Sequence, residues 1–282
     1  AETYLNLFDY NTAEPSVIGL FNISRIHDYA IGCNSVISYI NICNKYEDYI
    51  KRCETSDDIN ILNQLIFLFN NLDKSHIANG DEEKGEIYFD KAYILSKKYS
   101  LTNTRLGLVA SKIDHHIRNF NKDKSDKLLL ILEEEYKDKP DDASKLNFLY
   151  INKAAYLENF GDIQEAIKIR LKIREFYSLK RDNSLNSPFR FSTIALGDAY
   201  LKAKEYEKAL VQFDIAREII YDDNSSYYDF FNIPLFTSIA ECYIKLNKPY
   251  RAIPILRDSL FIVEKNSKGT DNDHYYIFNI IF

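Results

Sequence analysis

Hydrophobic residues recur at three- and four-residue intervals along most of the chain. Segments such as ILNQLIFLFNNL and EAIKIRLKIREFYSL put their apolar side chains on one helix face, and the strict alternation of a half-buried strand is hard to find. Polar clusters interrupt this pattern at near-regular intervals: ETSDD near 56, YSLTN near 101, KPDDAS near 141, RDNSLNSP near 184, DDNSS near 224 and NSKGTDND near 269. The spacing is about forty residues, a period that marks solenoids and other repeat architectures. Each interval divides again at a short charged turn, ANGDEEKG at 78–85, ENFGDIQEA at 158–166, KAKEYEKA at 202–209 and KLNKPYRA at 245–252. Connections this short make the flanking helices antiparallel neighbours. The pattern predicts an all-α chain: one solenoid over 1–282, with approximate units 1–55, 56–100, 101–140, 141–184, 185–225 and 226–268 and a partial unit 269–282.

Specific offsets sharpen this. Leu196, Gly197, Tyr200, Ala209, Phe213 and Ala216 stand at L-G-x2-Y-x8-A-x3-F-x2-A, and Phe236, Ile239, Ala240, Tyr243, Ala252 and Leu256 fill the large and small positions in the same order. Gly80 and Asp81 open another second helix with Phe89 and Ala92 in place; Gly161, Asp162 and Ala166 do so with Tyr156 one residue out of register. This set resembles the tetratricopeptide repeat. The resemblance implies a right-handed α-solenoid of about six antiparallel helix-turn-helix units. Second-helix anchors read as Phe89, Leu132, Leu171, Phe213 and Leu256 are 43, 39, 42 and 43 residues apart, against about 34 in the standard repeat. The excess is roughly one extra turn per helix. Such elongated repeats resemble those of bacterial sensory and regulatory proteins, including peptide-responsive regulators, some transcription activators and sensor kinases.

The resemblance also implies a site. First helices of stacked pairs line a concave groove that holds an extended or helical peptide. Carried over unit by unit, the groove positions are Phe67, Asn70, Lys74 and Ile77; Phe148, Ile151 and Glu158; Phe191, Ile194, Asp198, Leu201 and Lys202; and Thr237, Glu241, Ile244 and Lys245. Asp198 and Glu241 stand where an asparagine would help clamp a terminal carboxylate, so an acidic C-terminal tail is disfavoured as ligand. The expected function is a non-catalytic module that binds a protein or peptide segment, the sensory or scaffolding part of a larger bacterial signalling or transcription-regulating protein. Small rotations between units would add along the stack on binding. A phosphatase-type regulator of a response-regulator protein and a purely structural assembly adaptor are the alternatives.

Composition narrows the field. The 282 residues are 46% hydrophobic, ample for a sizeable core, and 36 Lys and Arg against 42 Asp and Glu leave a formal charge of −6. Without a basic stripe, nucleic acid is not expected as a partner of this segment. No run approaches 18 apolar residues, so no membrane insertion is expected. Eight Gly and six Pro are too few for a many-turned β-propeller. Cys33, Cys43, Cys53 and Cys242 form no CxxC pairing and read as small buried apolar residues, which favours the cytoplasm over the periplasm. The His115–His116 pair lacks the spacing of a metal site, and Glu133–Glu135 reads as a solvated face. The 22 Tyr and 18 Phe recur at packing offsets and read as core and inter-repeat wedges. No phosphate-cradling glycine loop or G-x-S-x-G elbow is present, and no cofactor is expected. The lack of Met suggests a processed or trimmed product. The terminal DHYYIFNIIF reads as the first helix of a further unit, a surface for self-association or another domain.

Overall fold

The computed structural model describes residues 9–32, 36–140, 142–179, 188–222 and 232–266. Cys33 and the terminal DHYYIFNIIF segment lie outside them. All regular structure among the described residues is helical. The helices are α1 (Val17–Gly32), α2 (Val36–Lys45), α3 (Glu47–Glu54), α4 (Ile59–Ala78), α5 (Glu82–Lys98), α6 (Thr102–Arg118), α7 (Lys122–Tyr136), α8 (Ile151–Phe160), α9 (Ile163–Ser178), α10 (Pro188–Lys202), α11 (Tyr206–Asp222), α12 (Ile233–Lys245) and α13 (Pro249–Asn266). A short turn of helix, Ala143–Lys145, and a π-helical turn, Leu146–Tyr150, lead directly into α8. The chain divides into two compact units, 1–112 and 113–282.

Helix starts and stops follow from local chemistry. The side chains of Asp58, Asp81, Asn121 and Asp162 accept hydrogen bonds from the backbone N–H groups of Asn60, Lys84, Lys124 and Gln164, satisfying donors that the first turn leaves open. Four first helices end alike. Gly80, Phe120, Lys204 and Asn247 adopt left-handed φ values of 82°, 54°, 62° and 57°. The next amide in each case bonds back to the carbonyl of His76, His116, Tyr200 or Tyr243 at 2.8–2.9 Å. This C-terminal motif is usually closed by glycine. Here only Gly80 meets that preference; Phe120, Lys204 and Asn247 hold the same conformation without it. The turn at Gly161 is different, with φ −133° and a bond from its N–H to the Leu157 carbonyl.

Five residues after each turn position stands a small buried residue: Gly85, Ser125, Ala166, Ala209 and Ala252. These are 40, 41, 43 and 43 residues apart and set the register of the second helices. The large residue four places on is Phe89, Leu129, Phe213 and Leu256 in four of them. This corrects two of the expected anchors. Leu132 is buried but occupies the position of Ala92 and Ala216, and Leu171 is 42% exposed. The residue in register in α9 is Arg170, with Ile173 buried one turn later.

In unit 113–282, α10 packs on α11, and α12 on α13. A Cβ added to Gly197 would lie 2.4 Å from the Phe213 ring, so the absence of a side chain is what lets the two helices approach. Phe213 shares a core with Ala209, Ala216, Phe236, Ile239 and Ala240, and a second core gathers Leu146, Ala154, Ile173, Tyr177 and Phe189. In unit 1–112, α4 and α5 pack together, and Leu62, Leu65, Ile66, Phe69 and Leu72 fill the core with Tyr39 and Tyr49. Asp73 there occupies the small position held by Gly197 and Ala240 elsewhere, and Gly85 opposite makes room for it. Its carboxylate is met by Lys112 Nζ at 2.7 Å, with both side chains almost wholly buried.

Cys43, Cys53 and Cys242 are buried free thiols, and burial pushes those of Cys43 and Cys242 up to about 12. Of the glutamate run, Glu133 pairs with Lys153 at 2.7 Å, Glu135 pairs with Lys139, and Glu134 is exposed. Replacing Gly197 with alanine is expected to lower the urea-unfolding free energy by about 1–2 kcal/mol, the overpacking against Phe213 outweighing the gain in helix propensity. An unchanged or raised midpoint would show that the two helices can separate freely.

Candidate functional site

The hairpin of α8 and α9 breaks the register twice. Where the other second helices carry Phe89, Leu129, Phe213 and Leu256, α9 carries Arg170. Eight residues before the small position, the other first helices carry Ile77, Ile117, Leu201 and Ile244, whereas α8 carries Glu158. The two charges meet: Arg170 Nε donates to Glu158 Oε1 at 2.7 Å, with side chains 10% and 7% exposed. Lys202 Nζ from α10 lies 3.4 Å from the other oxygen, Oε2. The preceding π-helical turn belongs to this hairpin too, and such turns are frequent at functional sites.

Two cavities border Arg170 and Ala195 within unit 113–282. One, of 430 Å³, is lined by Glu158, Arg170, Ala195, Asp198, Leu201, Lys202 and Glu241. The other, of 360 Å³, is lined by Asn147, Ile151, Arg170, Ile173, Tyr177, Pro188, Phe191, Ser192 and Ala195. The first is charged; the second is mainly apolar. The polar groups of the second are largely engaged, Tyr177 Oη donating to Asn147 Oδ1 at 2.7 Å and Ser192 Oγ to the Phe189 carbonyl at 2.9 Å.

Asp198 is the most perturbed acid near the cavities. Burial pushes its carboxyl up to about 6, the Glu158 carboxylate adds to that, and Ser238, Lys202 and Arg170 oppose it. The Ser238 hydroxyl donates to Asp198 Oδ1 at 3.4 Å. Cys242 also feels the charges of Glu241 and Asp198, after burial, in its raised thiol.

The structure brings together seven of the residues expected in the groove. Glu158, Asp198, Leu201, Lys202 and Glu241 line the charged cavity, and Ile151 and Phe191 the apolar one. Phe148 and Thr237 are half-buried outside both cavities; Ile194 packs on the core around Phe213. Ile244 and Lys245 are exposed at the end of α12. Phe67 and Lys74 are exposed on α4, and Asn70 and Ile77 half-buried, in unit 1–112. The second helix contributes Arg170, Ile173 and Tyr177, which the repeat's first-helix groove positions do not include. The signal for Arg170 was present in the sequence as a charge at an apolar repeat position.

No protein-family model matches the sequence, and no curated protein matches it. Solved structures do. The apo form of the quorum sensor NprR from B. thuringiensis superposes with a TM-score of 0.59 at 13% identity, over 94% of this chain and 69% of that one. NprR in complex with its cognate peptide NprX gives 0.58 at 13%, over 94% and 71%. A Podosopora anserina protein assigned as a kinesin light chain, with nearly identical TPR-like repeats, gives 0.56 at 14%, over 73% and 97%. The STAND protein with a tetratricopeptide repeat sensor from Pyrococcus horikoshii gives 0.54 at 18%, over 92% of this chain and 38% of that one. The fold is that of the tetratricopeptide-like helical repeats.

The raised acid gives a pH test with a defined sign. The folded state holds the Asp198 proton more tightly than the unfolded chain, so ionising it costs stability as pH rises from about 4 through about 6. Asp198→Asn is expected to unfold with about 1–2 kcal/mol more free energy than the parent at pH 7.5. The gap should close toward pH 4. Urea titrations of both proteins at the two pH values check this, and a gap independent of pH would show that Asp198 is not held against its charge.

Proposed function

We propose that the chain is a non-catalytic binding module that holds an extended peptide segment in the two adjoining cavities of unit 113–282. One observation carries this reading: a buried charge pair, Glu158–Arg170, replaces apolar packing at the place where a charged and an apolar cavity meet. Buried ion pairs are poor stabilisers, since removing two charges from water costs several kcal/mol, so their presence at core positions calls for another role. Exposed Phe191 and Ile151 beside fixed charges have the make-up of a recognition patch. The peptide complex of NprR, whose fold this chain shares, supports the same choice of ligand. A place in bacterial signalling or transcription control is the setting that this ligand class and the sensor roles of NprR and the STAND protein favour.

Phage-displayed random dodecapeptides panned against the purified chain test it. Recovered peptides are expected to lose about tenfold or more in affinity to the Phe191→Glu and Ile151→Glu variants, which put charge into the apolar cavity. Leu130→Glu, on an exposed face of α7, should bind as the parent does. Helicity by circular dichroism should be equal in all. Failure to recover any peptide, or binding unaffected by Phe191→Glu, would overturn the groove and favour an adaptor that works through another face.

A further inference from the structure

Granting that the cavities hold a peptide, we infer that they read it at two points: an apolar side chain among Ile151, Ile173 and Phe191, and a positively charged group against Asp198 and Glu241. Between these points the guanidinium fork of Arg170 bonds the peptide backbone.

The charge assignment follows from which groups already have partners. Three carboxylates and two cations line the charged cavity. Both cations are directed to the same acid, Arg170 to one oxygen of Glu158 and Lys202 to the other. Among the described residues no lysine or arginine pairs with Asp198 or Glu241, and the one hydrogen bond Asp198 accepts, from Ser238, is long at 3.4 Å. A half-buried carboxylate beside a second acid is stabilised by a cation far more than by water at a constricted surface. An anion entering the same space would face Glu158, Asp198 and Glu241 together. Its two attractors, Arg170 and Lys202, are both already directed to Glu158, at 2.7 and 3.4 Å.

Arg170 supplies an independent indication. The residue is 8% exposed, borders both cavities, and is anchored through Nε alone. Among the described residues its terminal nitrogens form no hydrogen bond, and they are not sealed from solvent, so their donors are open to a ligand at the cavities. A neutral backbone carbonyl suits them, because it accepts two N–H groups without bringing another negative charge among the acids. That places a carbonyl between the apolar and the cationic anchor, as a continuous peptide would.

The cation can be a lysine or arginine side chain or a peptide's terminal ammonium, and the probes distinguish them. Fluorescence anisotropy is measured with C-terminally labelled dodecapeptides of one glycine-serine host sequence, each with a single Phe. Two to five residues from it stands Lys, Arg, norleucine, citrulline or Glu, and each probe is made with a free and an acetylated amino terminus. The best-spaced Lys or Arg probe is expected to bind about tenfold more tightly than its norleucine or citrulline isostere, with Glu weakest. Glu241→Gln, an exposed position, and Asp198→Asn should each reduce that preference several-fold while leaving the contribution of Phe intact. A preference that follows acetylation instead of the side chain identifies the terminal ammonium and supports the same reading. Equal binding of Lys and norleucine probes, or tighter binding of Glu, overturns the two-point reading and leaves the peptide groove standing, provided display still recovers peptides. Loss of both the probes and the display binders overturns the groove itself.

Discussion

Everything in a hairpin of this chain depends on how closely its two helices approach. The approach is set at one point, where a small residue of the second helix, five places after the turn, meets the flank of the first. On the first helix the limit is shown by Gly197, which faces Phe213 of the second with no room even for a methyl group. Once that distance is fixed, the short turn has few geometries open to it, and four of the five turns settle on the same left-handed closure. A side chain larger than the position allows must be offset on the opposite helix. Asp73 is offset in this way by Gly85, and the buried charge it brings is answered at 2.7 Å by Lys112.

The two buried ion pairs therefore mean different things. Asp73–Lys112 is nearly sealed, and its cation also lies over the Phe89 ring, so it behaves as a polar contact inside a core. Glu158–Arg170 borders open space on both sides. Its acid is shared with Lys202, and Asp198 beside it keeps a carboxyl raised to about 6. A pair retained only for packing gains nothing from a neighbouring acid that it destabilises. The excess negative charge is costly to the empty fold and useful to one that receives a cation.

Much of this was legible in the sequence and some was not. The offsets of Leu196, Gly197, Tyr200, Ala209, Phe213 and Ala216 are packing rules written directly in residue size, so the period and the helical pairs could be read without coordinates. The two slips in register, Leu132 and Leu171, came from following large apolar residues, which a helix offers at several positions per turn. Following the small residues Gly85, Ser125, Ala166, Ala209 and Ala252 would have avoided them, because close approach tolerates small residues at few places. The same slip hid Arg170, which stands one residue before Leu171 and is the residue in register. The turns at Lys204 and Asn247 showed as short charged stretches, whereas the one at Phe120 did not, because the expected glycine is missing and the backbone alone carries the left-handed conformation.

The site was legible in half. First-helix positions can be assigned from the repeat, and Glu158, Asp198, Leu201, Lys202 and Glu241 do share a cavity. The opposite walls belong to second helices, whose depth is set by which of their residues fall short of the core. In α9 that residue is Arg170. An arginine in a phenylalanine's position cannot pack as a ring does, since its polar end has to be turned toward an acceptor, and Glu158 provides one. The substitution that breaks the packing rule thus stands where the two cavities meet, and the pair that repairs the charge also fixes the guanidinium between them. Under the proposed reading packing and recognition use the same atoms, so a ligand that satisfies Arg170 and Asp198 would also steady the hairpin that carries them.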